Sequence, residues 1–120
     1  AIANPKLAPA GRYAQESLTS AGLWNLLQPK LVFASDVRAT LAFVESGNAE
    51  ASIVYLTDAR LARNATISDI IPHNSYSLIS YPVAIVARSK VKLIASDFIE
   101  FLEGQEAGKI FVKHGFKMAQ

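Results

Sequence analysis

A chain of 120 residues has room for one domain with a hydrophobic core, and a hydrophobic fraction of 51% excludes an intrinsically disordered segment. The net charge of +2 is spread singly, with no basic stripe interleaved with aromatics, which argues against nucleic acid as a partner. Without cysteine there are no disulfides, thiolate metal sites or thiol nucleophiles, and no run approaches the roughly 18 apolar residues of a membrane span.

Residues 1–3 read as an apolar strand that starts in mid-run, with neither an initiator Met nor a leader before it. The expectation is a piece of a longer protein. Residues 4–11, with Pro5, Pro9 and Gly11, read as a loop. A helix is expected over 12–21, with Ala14, Leu18 and Ala21 on one face and Gly22 as its stop. Leu23, Trp24, Leu26 and Leu27 form an apolar cluster over a short turn ended by Pro29, where plain packing explains Trp24. Residues 31–34 read as the second strand. A helix over 37–46 follows at once, with Val37, Leu41 and Val44 at i, i+4 and i+7. Ser35 and Asp36 are its N-cap candidates, and Gly47-Asn48 closes it as a left-handed C-cap.

The run 51–56 is a third strand, short and β-branched enough to be buried on both faces. Thr57-Asp58 caps a helical turn over 59–62. Residues 67–71 read as a strand, Pro72 to Ser75 as a turn, and 79–87 as a long strand with Pro82 at an edge or bulge. Helices over 93–102 and 105–114 complete the chain, the first with Ile94, Phe98, Phe101 and Leu102 facing inward. The alternation predicts an α/β fold with a mostly parallel sheet and helices on both faces.

Catalytic patterns are missing. His73 and His114 are far apart with no acidic partners at metal spacing, and no phosphate loop, nucleophile elbow or zinc pattern occurs. The expectation is therefore a non-enzyme. Geometry remains: the loops Ala8-Pro9-Ala10-Gly11 and Ala34-Ser35-Asp36-Val37 each follow a strand and open a helix. In a parallel sheet both helix N-termini lie along the carboxyl edge, where open α/β sheets bind ligands. Tyr55 ends the third strand at that edge. Two sets of N–H groups and one hydroxyl suggest an anion site built without a formal positive charge.

At these residues the chain resembles the periplasmic molybdate-binding proteins, the soluble receptors of bacterial molybdate ABC transporters. The matching phrases are Ala3-Asn4-Pro5-Lys6-Leu7-Ala8-Pro9-Ala10-Gly11-Arg12-Tyr13-Ala14, Leu23-Trp24, Pro29-Lys30-Leu31, Asp36-Val37-Arg38 and Phe43-Val44-Glu45. They continue through Ile53-Val54-Tyr55 and Tyr81-Pro82-Val83-Ala84 to Phe111-Val112-Lys113-His114-Gly115-Phe116. The resemblance implies one lobe of a type II periplasmic-binding-protein fold. It also implies a molybdate or tungstate oxyanion held between lobes by neutral donors, with no cofactor. Carried over, the donors from this part of the chain are the Ala10 and Val37 backbone N–H groups and the Tyr55 hydroxyl, and the remaining donors belong to the first lobe.

By the same resemblance, residues 1–79 are most of the second lobe. Residues 80–120 are the return crossing and the helices that pack on the first lobe. The implied partners are the oxyanion and a membrane permease, and the implied location is the periplasm. The apolar face of 93–114, carrying Phe98, Phe101, Ile110 and Phe111, leads to the expectation of a dimer, a swapped assembly or a repacked tail for these residues alone. A dianion needs donors only, so the Asp36 carboxylate is expected to turn back onto its own helix as an N-cap. Two alternatives stay open, the ligand-sensing domain of a transcription regulator and a receptor for another oxyanion such as sulfate. A small α/β enzyme would need a polar catalytic set near Ala10, Val37 and Tyr55.

Overall fold

A computed structural model describes residues 1–118. Two compact units are present, Ala1–Leu78 and the part that follows from Ile79.

In the first unit, strand β1 (Ile2–Ala3) pairs in parallel with β2 (Phe33–Ala34), with Ile2 opposite Phe33 and Ala3 opposite Ala34. On its other side Ile2 forms a single parallel bridge with Ile53. β1 is thus the middle of three parallel segments, and both its residues are buried. Helix α1 (Pro9–Ser20) lies against β1, and α3 (Val37–Glu45) contacts both strands. Between α1 and β2 come the short helix α2 (Trp24–Leu27) and a 3-10 turn, Gln28–Lys30. Helix α4 (Leu56–Ala59) and a second 3-10 turn, His73–Ser75, complete the unit. The buried core is small: Ile2, Ala3, Ala10, Ala14 and Ala34 supply the apolar part. Two buried hydroxyls are satisfied locally, Thr40 donating to the Asp36 carbonyl at 2.7 Å and Ser17 to the Ala14 carbonyl at 3.0 Å.

The α/β class with a parallel sheet is as expected, but several element boundaries are corrected. α1 begins at Pro9 and not at residue 12. Proline at the first helical position loses no bond and has its φ preset, so a Pro-Ala-Gly sequence that reads as loop opens a helix. Gly11, inside that first turn, sits directly on β1. A Cβ there would collide with the Ala3 carbonyl oxygen and lie 2.7 Å from the carbonyl carbons of Ala3 and Asn4. The third strand reduces to the bridge at Ile53, its residues are half-buried where 51 is exposed, and α4 starts at Leu56 in place of 59. Tyr55 is its extended N-cap, whose carbonyl accepts from Asp58 at 3.0 Å and Ala59 at 2.9 Å. The expected strands over 67–71 and 79–87 are absent among the described residues. β-branched composition favours a strand, but a ladder needs a partner segment, and among the described residues those runs have none.

The helix ends follow the sequence closely. α3 closes with the Gly47 N–H on the Val44 carbonyl at 3.0 Å and the Asn48 N–H on the Phe43 carbonyl at 2.8 Å. That pair of bonds requires the left-handed backbone Gly47 adopts, at φ 73°.

In the second unit α5 (Lys92–Glu103) and α6 (Gln105–Lys113) pack on each other about Gly104, which caps α6. Phe116 meets the ring of Phe111 edge-on at 6.0 Å and that of Tyr81 at 5.6 Å. The inward face expected of α5 is not inward: Ile94, Phe98 and Phe101 are exposed, and only Leu102 of that set is half-buried. Two helices bury one stripe against each other, and this unit offers no third layer for the rest. No helix among the described residues is long and apolar enough to cross a membrane.

Candidate functional site

Three parallel segments end at one sheet edge, and each hands over to a different local structure. β1 leads through Asn4 into α1, β2 leads through Ser35-Asp36 into α3, and the segment at Ile53 leads to Tyr55 and α4. The Asn4 N–H donates to the Ala34 carbonyl at 2.8 Å, so the carboxyl ends of β1 and β2 are tied together. The Asn4 Oδ1 accepts from the Lys6 N–H at 2.9 Å and its carbonyl accepts from Leu7 and Ala8, which folds the connection tightly before α1.

Ala10 stands in the first turn of α1, buried. Its neighbours Gly11 and Arg12 both direct their N–H groups to the Ala8 carbonyl, at 3.1 and 3.4 Å. Among the described residues no protein acceptor takes the Ala10 N–H. Val37 is the first residue of α3 and half-buried, and its N–H likewise meets no protein acceptor among them. Each helix therefore presents an unspent donor at its positive end.

Asp36 explains why α3 keeps its first donor clear. Its Oδ1 accepts the Ala39 N–H at 2.9 Å, and its Oδ2 accepts the Ser35 hydroxyl at 3.0 Å. The carboxylate is folded back on its own helix, as anticipated for an N-cap. The Ala39 N–H, followed by the Ser35 hydroxyl, holds its pKa below the ordinary aspartate value.

Tyr55 is half-buried at the end of its segment. Its ring lies 6.5 Å from that of Tyr13, inclined at 56°, and Tyr13 in turn lies 6.3 Å from Tyr76. The Tyr76 hydroxyl and His73 Nδ1 are hydrogen-bonded at 2.7 Å. On the next turn of α1, Glu16 accepts the Ser77 N–H at 2.6 Å, which holds its carboxyl below the usual glutamate value. This aromatic row and its clip do not emerge from motif reading. Tyr13 carries a signal in hindsight, since it lies three residues after Ala10 on one helix face, whereas Tyr76 carries none.

Ala10, Val37 and Tyr55 thus stand on three adjacent segment ends, and the Tyr13 ring links the helix of Ala10 to Tyr55. Among the described residues no group of His, Cys, Asp or Glu could hold a metal ion.

Residues 1–117 match the model of a family described as bacterial extracellular solute-binding protein. The chain belongs to that family. Relatives include the ABC transporter substrate-binding lipoprotein YvgL, so named in Bacillus subtilis (strain 168), 41% identical over 97% of this chain and 45% of that protein. The molybdate-binding protein ModA of Escherichia coli (strain K12) is 38% identical over the same shares. Among solved structures, the substrate-binding domain assigned to a molybdenum ABC transporter of Clostridium difficile superposes with a TM-score of 0.86. It is 37% identical, over 98% of this chain and 52% of that one. The fold is that of periplasmic binding protein domains, and the chain spans about half the length of the curated relatives it matches.

Proposed function

We propose that these residues supply one side of an oxyanion-binding cleft in a receptor that delivers molybdate, and tungstate with it, to a membrane ABC permease. The role is binding and release, without catalysis. The Ala10 and Val37 N–H groups and the Tyr55 hydroxyl are the donors from this side. The remaining donors come from a first lobe encoded outside these 120 residues, a reading supported by the 45% coverage of the relatives. In that arrangement residues 1–79 form most of the second lobe, and 80–120 are the crossing and helices that pack on the first. The exposed Ile94, Phe98, Phe101 and Ile110 support this, as an apolar face fit for covering. These residues expressed alone are expected to self-associate through the same face, which light scattering measures. The receptor works outside the cytoplasmic membrane, in the periplasm or tethered to the outer face of the cell.

The observation that carries the reading is the pair of unspent N–H groups at two helix starts, with the Asp36 carboxylate that caps α3 already occupied by Ala39. A tetrahedral dianion without acidic protons needs donors and is repelled by acceptors. Helix-terminal N–H groups and a phenol replace its hydration shell, and the aligned peptide dipoles add fractional positive charge. Calorimetric titration of the whole receptor with molybdate, tungstate, sulfate and phosphate tests it. Tight binding of the first two and weak binding of the others is expected. Preference for sulfate or phosphate overturns the choice of ion, and no binding of any oxyanion overturns the site.

A further inference from the structure

The rings of Tyr55, Tyr13 and Tyr76 form a continuous row of inclined contacts. Tyr13, Tyr55 and Tyr76 are all half-buried, and the row lies at the start of α1, beside the turn that carries Ala10. Both ring spacings fall within the 4.5–7 Å at which aromatic pairs attract. The far end is pinned twice: by the hydrogen bond between Tyr76 and His73, and by the Glu16 carboxylate on the Ser77 N–H, one helical turn beyond Tyr13.

From this geometry we infer that Tyr13 is a positioning residue, whose ring, backed by Tyr76, fixes the side chain of Tyr55 so that its hydroxyl is preorganised as an anion donor. The inference rests on Tyr55 being a donor, as proposed above. A tyrosine hydroxyl swings through several ångströms as its χ angles change, and a donor not held in place loses part of its binding contribution to ordering cost. A ring packed at an inclined angle restricts that swing without competing for the hydroxyl. Tyr13 needs its ring for this task and not its own hydroxyl.

The test is a mutant cycle in the whole receptor, read as molybdate affinity by calorimetry, with the thermal midpoint of the unliganded protein measured alongside. Tyr13→Leu is expected to weaken molybdate binding roughly 2- to 10-fold, the range of one aromatic pair. Tyr13→Phe is expected to restore wild-type affinity. In the background of Tyr55→Phe, which has no hydroxyl to position, Tyr13→Leu is expected to cause no further loss. A loss in Tyr13→Leu that persists in full in that background, or that Tyr13→Phe fails to rescue, overturns the positioning role while leaving Tyr55 a donor. Wild-type affinity in Tyr55→Phe alone overturns the donor assignment and the inference with it. Should Tyr13→Leu not fold, Tyr76→Leu removes the ring behind Tyr13 and is expected to give a smaller loss, again absent in Tyr55→Phe. Unchanged affinity there overturns the inference.

Discussion

Asp36 and Ala39 are joined by a carboxylate-to-amide hydrogen bond of 2.9 Å that closes the first turn of α3 from within. The bond satisfies one donor of the helix start and spends the carboxylate on its own helix. Asparagine accepts the same hydrogen bond without the charge. Asp36→Asn is therefore expected to keep the thermal midpoint within about a degree of the parent, and Asp36→Ala to lower it by several degrees. Thermal unfolding followed by circular dichroism separates the two.

Acid sensitivity follows from the same bond and from that of Glu16. Both carboxyls are held below their ordinary values, Asp36 chiefly by the Ala39 N–H and Glu16 chiefly by the Ser77 N–H. A folded-state pKa below the unfolded one makes stability complete above the ordinary carboxyl range. That stability is lost as pH falls through the depressed values, since the unfolded chain takes up protons first. Asp36→Asn and Glu16→Gln are each expected to flatten the acid limb of a stability-against-pH curve measured by urea unfolding. An unchanged slope in both would contradict the assignment.

Gly11 has no room for a side chain, because its α-carbon faces the Ala3 and Asn4 carbonyls. Gly11→Ala forces α1 off β1 and is expected to cost at least about 1–3 kcal/mol, the usual range for overpacking. The urea midpoint measures it. Gly22→Ala meets no neighbouring atom within 4 Å, but its φ of 72° is strained for alanine, so a smaller loss is expected there.

Removing the phenol oxygen of Tyr55 leaves its ring against Tyr13. On the reading proposed above, Tyr55→Phe in the whole receptor is expected to weaken molybdate binding by about 1–3 kcal/mol. Calorimetric titration measures the change.

Glu45, the last residue of α3, accepts the backbone N–H groups of Arg63 and Asn64, at 2.7 and 3.4 Å. Nothing else in that part of the chain is regular, so this carboxylate is expected to hold it. Glu45→Ala is expected to speed amide hydrogen exchange at Arg63, and Glu45→Gln to preserve protection, as read by exchange mass spectrometry or NMR.

Helices were the legible part of this fold, and ladders were not. The ends of α3 follow from Asp36 and Gly47, because caps are chosen by bonds within a few residues. The runs at 67–71 and 79–87 carry the right composition for strands, but pairing depends on a segment distant in sequence, which composition does not report. Pro9 and Gly11 misled for a related reason. Both residues mark loops on average, and here one presets the first helical φ while the other admits a strand beneath it. Of the candidate site, the start of α3 and the place of Tyr55 at a segment end could be read from strand ends and spacing, whereas α1 begins three residues before its expected start. The Tyr13–Tyr76 contact and the Glu16 clip on Ser77 join residues some sixty positions apart, and no local pattern encodes them.

The middle position of β1 in the sheet has a kinetic side. Ile2 pairs with Phe33 and with Ile53, about thirty and fifty residues further along, and neither neighbour can be reached through a hairpin. The chain must close two long loops to complete the pairing around a two-residue strand. Refolding of this unit is therefore expected to be slowed by those closures, with the sheet edge bearing Ala10, Val37 and Tyr55 completed after α1 and α3 form.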